Sequence, residues 1–263
     1  MARGLVLAVV LWRALPMNAE QPSAQAIAAF DEYAKATETE FSKTLWLDQH
    51  KHEKSLVWLN QGFVVEHKTQ AGGRDISVPG AVLQDWIGET FIPGATIDRV
   101  RDTVLDYGSY KDWFRDAVMA SRTDNHNGDH FDVFLRLHRR QIAKVVVNAK
   151  FSADYQLMDP THAWIVARSV HTGEAKYGKN KPYEEEVAPE DENGLLWRMN
   201  YYWRLEAADN GVYAELEVLT LSREAGKFAA SRVLNGFVDN FPKEYTRYTS
   251  DHLREMLAPP VRK

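Results

Sequence analysis

Five ionisable residues sit inside stretches that read as β-strand: Arg136, Arg168, Arg198, Glu215 and Glu217. A charge on the buried side of a strand needs a partner, and it could orient the carboxylate or carbonyl of a bound molecule. Side chains alternate between the two faces of a strand, so neighbours of the same parity decide where each one points. Arg136 is out of phase with Phe131, Val133, Leu135 and Leu137, and Arg198 is out of phase with Trp197, Met199 and Tyr201. Glu215 and Glu217 alternate with Val212, Ala214, Leu216 and Val218. Parity therefore turns these charges toward solvent, where cross-strand ion pairs are expected. A bulge would reverse that phase, which keeps Arg168 and Glu217 as candidate polar residues of an interior.

Two histidines and an acid, His126, Asp129 and His130, surround the turn "DNHNGDH". Their spacing matches no metal signature, and a hydrated turn is expected there and at His50 and His52. No Gly-x-Ser-x-Gly elbow, phosphate-binding glycine loop, His-Glu-x-x-His or dinucleotide fingerprint occurs in the chain. Hydrolase, kinase and dehydrogenase chemistries have no sequence footing, and no metal or cofactor is expected. Cysteine is absent, which removes thiolate catalysis, disulfides and thiolate metal sites.

The stretch "GLLWRMNYYWRLEAADNGVYAELEVLTLSR" places Trp197, Met199, Tyr201, Trp203 and Leu205 on one parity. So much aromatic surface on one strand face either packs a solid core or lines a hollow one. The elements that would position it follow from periodicity. Apolar residues from Ile27 to Leu47 recur at helical spacing, giving an amphipathic helix that needs a surface. A hairpin is expected around Asn60-Gln61-Gly62, with a further turn at Gly72-Gly73, and "GAVLQDWIGETFIPG" reads as a longer strand. Thr96 caps a helix whose apolar side is Ile97, Val100, Val104 and Leu105; Gly108 ends it, and Tyr110–Phe114 forms a second short turn. Six strands follow in meander order: Ala117–Thr123, Phe131–Arg139, Val145–Leu157, His162–Val170, Leu196–Ala207 and Val212–Ser222. Asn127-Gly128 and Asp209-Asn210-Gly211 are strong hairpin signals. The polar connection His171–Asn193 reads as solvated surface or a lid. A long amphipathic helix carries Phe228, Leu234, Phe237, Val238, Phe241, Tyr245 and Leu253, with a kink or break expected near Asn240 because of Pro242.

The 263 residues suit one large domain with an extension, and a net charge of −5 argues against nucleic acid as the main partner. Arg3 followed by the apolar run Gly4–Trp12 reads as an export leader over residues 1–19, too short to span a bilayer. The expected organisation is a leader at 1–19, a helix-and-hairpin extension at 20–74 and a main domain at 75–258. An antiparallel sheet has one buried and one wet face. A single terminal helix is too narrow to fill the concavity of a curved sheet this wide, so a partly hollow interior is expected.

The element order, with "DWIGETFIPGATIDRVRDTVLDYGSYKDWF", "FDVFLRLHRR", "LLWRMNYYWRLE" and "GVYAELEVLTLSR", resembles the START-like or SRPBCC superfamily from about Gly80 to Leu257. "WIGETFIPGAT" and "WRMNYYWR" are similar to an exported bacterial subgroup of unassigned function, seen especially in acidobacteria. The resemblance implies an α+β helix-grip fold, a curved antiparallel sheet wrapped around a long C-terminal helix, here with an extra N-terminal helix and hairpin. It implies a hydrophobic small-molecule ligand, lipid or polyketide-like, held between sheet and helix. The wall would comprise Trp113, Phe131, Val133, Leu135, Leu137, Trp197, Met199, Tyr201, Trp203, Leu234, Phe237 and Phe241. Cyclase or aromatase chemistry in the same cavity is the alternative, and an interaction protein with a filled core is another. The expected setting is periplasmic or extracellular, with no transmembrane span and, at most, transient membrane contact.

Overall fold

The computed structural model describes residues 21–41, 63–68, 76–139, 145–176, 185–224 and 232–258. The leader, the turns at 60–62 and 72–73, His50, His52 and Phe228 lie outside the described residues. Four α-helices are described: α1 (Ala24–Phe41), α2 (Ile97–Leu105), the single turn α3 (Tyr110–Trp113) and α4 (Arg232–Leu257). Nine strands are described: β1 (Phe63–Lys68), β2 (Ile76–Val78), β3 (Ala81–Pro93), β4 (Val118–Asn127), β5 (His130–His138), β6 (Val146–Asp159), β7 (His162–Glu174), β8 (Arg198–Ala208) and β9 (Gly211–Arg223). All belong to one antiparallel sheet in the order β1-β3-β9-β8-β7-β6-β5-β4, with β2 also on β3.

Local chemistry accounts for the boundaries. Asp209 and Asn210 both take positive φ, 52° and 59°, so the β8–β9 hairpin closes on two left-handed residues, with Gly211 following. The Thr96 side chain accepts the Arg99 backbone N–H at 3.3 Å, capping α2. α4 runs through Pro242, so of the kink or break expected near Asn240 the break does not occur. Within it the Asn240 amide also donates to the Gly236 carbonyl and the Thr246 hydroxyl to the Pro242 carbonyl, while the carbonyl that the proline leaves without its helical donor is that of Val238.

One hydrophobic core draws residues from seven strands, β3 through β9 to β4, and from α2, α3 and α4. At about 4.8 Å per strand spacing a flat array of seven would be about 29 Å wide, against roughly 10 Å for a helix. Only a sheet bent around the helix can seat all seven strands on the same core, and this is the helix-grip arrangement. α4 lies closest to β3, where Gly88 has no side chain. A Cβ there would stand 2.6 Å from Thr246 Cγ2 and 2.7 Å from Ser250 Oγ. Arg139, just past β5, ties down the first half of α4 through Glu244 (2.5 and 2.6 Å) and the Gly236 carbonyl (2.9 Å).

The other face of the sheet is wet as expected over β4 and β6, whose outward residues are largely exposed, but not over β3, β9 and β8. There α1 lies on it, burying Ala26, Phe30 and Ala34 against Ala81, Leu83, Trp197, Tyr202, Leu219 and Leu221. The expected amphipathic helix thus finds its surface on the back of the sheet. All thirteen residues of β9 are buried, so this strand is covered on both sides.

Candidate functional site

The interior between sheet and α4 is built from rings. Tyr107 stands on the single 3-10 turn after α2, Tyr110 and Phe114 on or beside α3, Phe151 on β6, Tyr201 and Trp203 on β8, and Phe237, Phe241 and Tyr245 on α4. Phe151 meets Tyr201 edge-on at 5.1 Å, Tyr110 meets Phe114 edge-on at 4.8 Å, and Phe237 stacks on Phe241 at 4.7 Å. These geometries suit the ring quadrupole and add to simple area burial. Every one of these side chains is no more than 2% exposed, so the described walls close on one another.

Within this apolar packing the hydroxyls are the polar feature. Tyr110 donates to the Val104 carbonyl at 2.5 Å. The hydroxyls of Tyr107 and Tyr201 are buried side by side and have each other as polar neighbour, without a well-formed hydrogen bond to any other group. Desolvation pushes all four phenols, Tyr107, Tyr110, Tyr201 and Tyr245, well above their ordinary ionisation range, so they remain neutral O–H donors.

Of the expected wall, Phe131, Val133, Leu135, Leu137, Met199, Tyr201, Trp203, Phe237 and Phe241 meet in this core, with Trp113 and Leu234 half-buried against it. Trp197 does not. It precedes β8 and joins the cluster under α1, because the parity that governs Met199 to Leu205 begins only with the strand. Arg168 and Glu217 do not reach the interior either. Both are on the outer face, their β7 and β9 pairing partners being Asn200 and Tyr202 of β8 respectively. The alternation that turned Glu217 away from the core is correct in direction, but the residue is 2% exposed, beneath a layer of protein. Sequence reading overlooked Tyr107. Its three-residue spacing to Tyr110 places the two rings 5.2 Å apart on consecutive turns, and that spacing was the available signal.

The outer layer is a polar network. Tyr33 of α1 donates to Asp85 Oδ2 at 2.7 Å. Arg168 grips both carboxylate oxygens of Glu38 at 2.8 Å, and the Tyr202 hydroxyl donates to the same group at 3.2 Å. Asn200 in turn donates to the Tyr202 hydroxyl at 3.0 Å. Burial, then the Asp85 charge, pushes the Tyr33 phenol up. Glu89, Glu206, Glu215 and Glu217 are also buried on this side, and Arg204 stands 3.3 Å from Glu215. A groove of about 340 Å³ opens at the end of α1 between Glu38, Asp154, Trp164 and Arg168. A larger open cleft of about 620 Å³ separates the start of α2 from the β8–β9 turn.

The histidines of the β4–β5 turn are engaged by their own neighbours, His126 also stacking on Phe131 at 4.2 Å. His126 bonds the Gly128 carbonyl at 2.7 Å and His130 bonds Asp154 at 2.8 Å, both exposed. No cluster of three metal-ligating side chains occurs among the described residues. The connection after β7 is pinned at its described flanks, by a bridge between Ala175 and Glu186 and by His171 to Glu186 at 2.8 Å. Glu174 is buried there and accepts the Asn193 and Leu195 backbone N–H groups.

No family model and no curated protein matches the chain. Among solved structures, the STAR-related lipid transfer protein of Xanthomonas axonopodis is 15% identical, with a TM-score of 0.46 over 74% of this chain and 98% of that one. The Zhui aromatase/cyclase of Streptomyces is 14% identical, with a TM-score of 0.48 over 68% and 96%. Human StAR-related lipid transfer protein 5 is 11% identical, with a TM-score of 0.46 over 88% and 97%. No described helix is long and apolar enough to cross a membrane.

Proposed function

We propose that the protein binds a hydrophobic small molecule between the inner sheet face and α4. The observation that supports this is the pair of buried hydroxyls, Tyr107 and Tyr201, which face each other in a largely apolar interior. A polar atom of a guest would give those hydroxyls a further partner, while apolar contact supplies affinity. In the closed state the rings fill the space themselves, so loading requires α4 to lift. The Arg139 contacts to Glu244 and to the Gly236 carbonyl hold its first half in place. The resemblance to START-like proteins supports the same reading, and the leader-like residues 1–19 support a site of action outside the cytoplasm.

Native mass spectrometry and solvent extraction of the purified protein test this. A retained apolar passenger, or one taken up from a panel of lipids and polyketide-like compounds, is the expected result. A protein that stays empty throughout overturns it.

The closed walls favour a second reading, an interaction protein with a filled core. Side chains no more than 2% exposed around Tyr201 are what a solid centre requires. The same empty result that defeats the carrier would support this one.

A further inference from the structure

We propose that the groove on the outer face beside the end of α1 binds a single neutral sugar residue. This site is separate from the interior and does not depend on the binding reading above. β6 and β7 pair so that Gln156 stands opposite Trp164 and Asp154 opposite Val166, and Arg168 follows on the same parity of β7. Glu38 reaches in from α1, and together these residues border an open space of about 340 Å³. That is the small end of ligand-sized pockets and suits one ring. Trp164 and Val166 also pack against the layer under α1, so the apolar floor is fixed from behind. The Trp164 Nε1–H donates to Gln156 Oε1 at 2.8 Å, which sets the indole and leaves the amide nitrogen free to donate.

The hydrogen-bonding capacity left over decides the ligand. Arg168 commits Nε and Nη2 to Glu38 at 2.8 Å each, and its Nη1 stands 3.7 Å from Asp154 Oδ2, beyond hydrogen-bond range. Asp154 Oδ1 is taken by His130 at 2.8 Å. Glu38 Oε1 accepts from both Arg168 and the Tyr202 hydroxyl, whereas Oε2 accepts from Arg168 alone among the described residues. Two donors remain, Arg168 Nη1 and Gln156 Nε2, and two acceptors, Asp154 Oδ2 and Glu38 Oε2. A hydroxyl both donates and accepts, so it satisfies either kind. An anion would have to displace Glu38 from a bidentate grip and then meet Asp154. A cation would have to sit beside Arg168. Several hydroxyls on a ring whose C–H face lies against an indole make a neutral sugar, with apolar contact on one side and hydrogen bonds at the rim.

The test titrates methyl glucoside, methyl galactoside and methyl mannoside into the isotope-labelled protein and follows the Trp164 indole and Gln156 amide signals by nuclear magnetic resonance. Glucuronate, choline and cyclohexanol serve as the anionic, cationic and apolar controls. At least one neutral glycoside is expected to shift both signals and to bind more tightly than every control by on the order of tenfold. Asp154→Ala and, separately, Gln156→Ala each remove one hydrogen bond and are expected to weaken that glycoside by roughly three- to tenfold. Both side chains are exposed, so the variants keep the fold, which circular dichroism and thermal melting check. Four results overturn the inference: no shift from any of the three glycosides, binding of glucuronate or choline as tight as theirs, equal binding of cyclohexanol, or a glycoside affinity unchanged in both variants.

Discussion

Over β3, β9 and β8 the two faces of the sheet are both buried, and they are buried by different chemistry. On the inner face Met199, Tyr201, Trp203 and Leu205 meet rings from α4 and the turn after α2, and hydroxyls are the polar atoms among them. On the outer face, the intervening residues of β3, β8 and β9 carry Asp85, Glu89, Glu206, Glu215 and Glu217, each less than one-tenth exposed. There α1 is held by a phenol on a carboxylate and a guanidinium on another. Inner contacts are non-directional and tolerate sliding, whereas the outer ones demand geometry and lose much when one partner goes. The face whose contacts tolerate sliding is therefore the one under α4, and the face suited to fixing a helix in place is the one under α1.

The largest expected effect is in alkali, and it bears on both faces, since burial also raises Tyr33 and Tyr202 of the outer layer. Tyr107, Tyr201 and Tyr245 have folded ionisation ranges raised by burial, while in the unfolded chain they ionise near pH 10. The stability they protect is whole below that value and declines as pH climbs from it through the folded values, because only the unfolded state releases protons there. The near-ultraviolet phenolate band of these rings should therefore appear together with loss of circular dichroism. Phenolate formation in the intact fold would show the inner face to be open to water.

The next contrast is between truncations. Trp203→Ala removes a ring that is 1% exposed in the inner core, and about 3–5 kcal/mol of global stability should go with it. Phe30→Ala removes a ring that is 2% exposed, but from the layer between α1 and the sheet. Its cost is bounded by the free energy of detaching α1, so local opening replaces global unfolding. Hydrogen exchange should lose protection across 24–41 in Phe30→Ala and across β5 to β9 in Trp203→Ala. Equal global losses in both would mean that α1 and the sheet fold as one unit.

The strand order and the helix pair were legible because period-two alternation and turn residues are local. Asn127-Gly128 and Asp209-Asn210-Gly211 mark two hairpins, and Thr96 marks the start of α2. The inner wall was legible for the same reason: parity along β5 and β8 names Leu135 and Tyr201 together. What alternation does not carry is the fate of the opposite parity. Glu217 reads the same whether it faces water or lies beneath a helix that begins nearly two hundred residues earlier. Trp197 was misplaced by a different limit, since periodicity does not announce where a strand starts. Tyr107 was overlooked because a 3-10 turn of three residues has no period of its own.

The smallest expected effect bears on the directional layer. Glu38→Gln keeps size and one carbonyl acceptor for the Tyr202 hydroxyl but removes the second oxygen and the charge held by Arg168. Arg168 is 45% exposed at its side chain, so solvent screens the pair, and the cost should be no more than about 1 kcal/mol. The geometry makes the loss local. The end of α1 should fray, seen as faster exchange near Thr37 to Glu40, while added salt should weaken the native protein and leave Glu38→Gln nearly unchanged. If instead the variant unfolds globally at much lower denaturant, the outer network is a cooperative part of the core. The division of labour between the two faces would then be wrong.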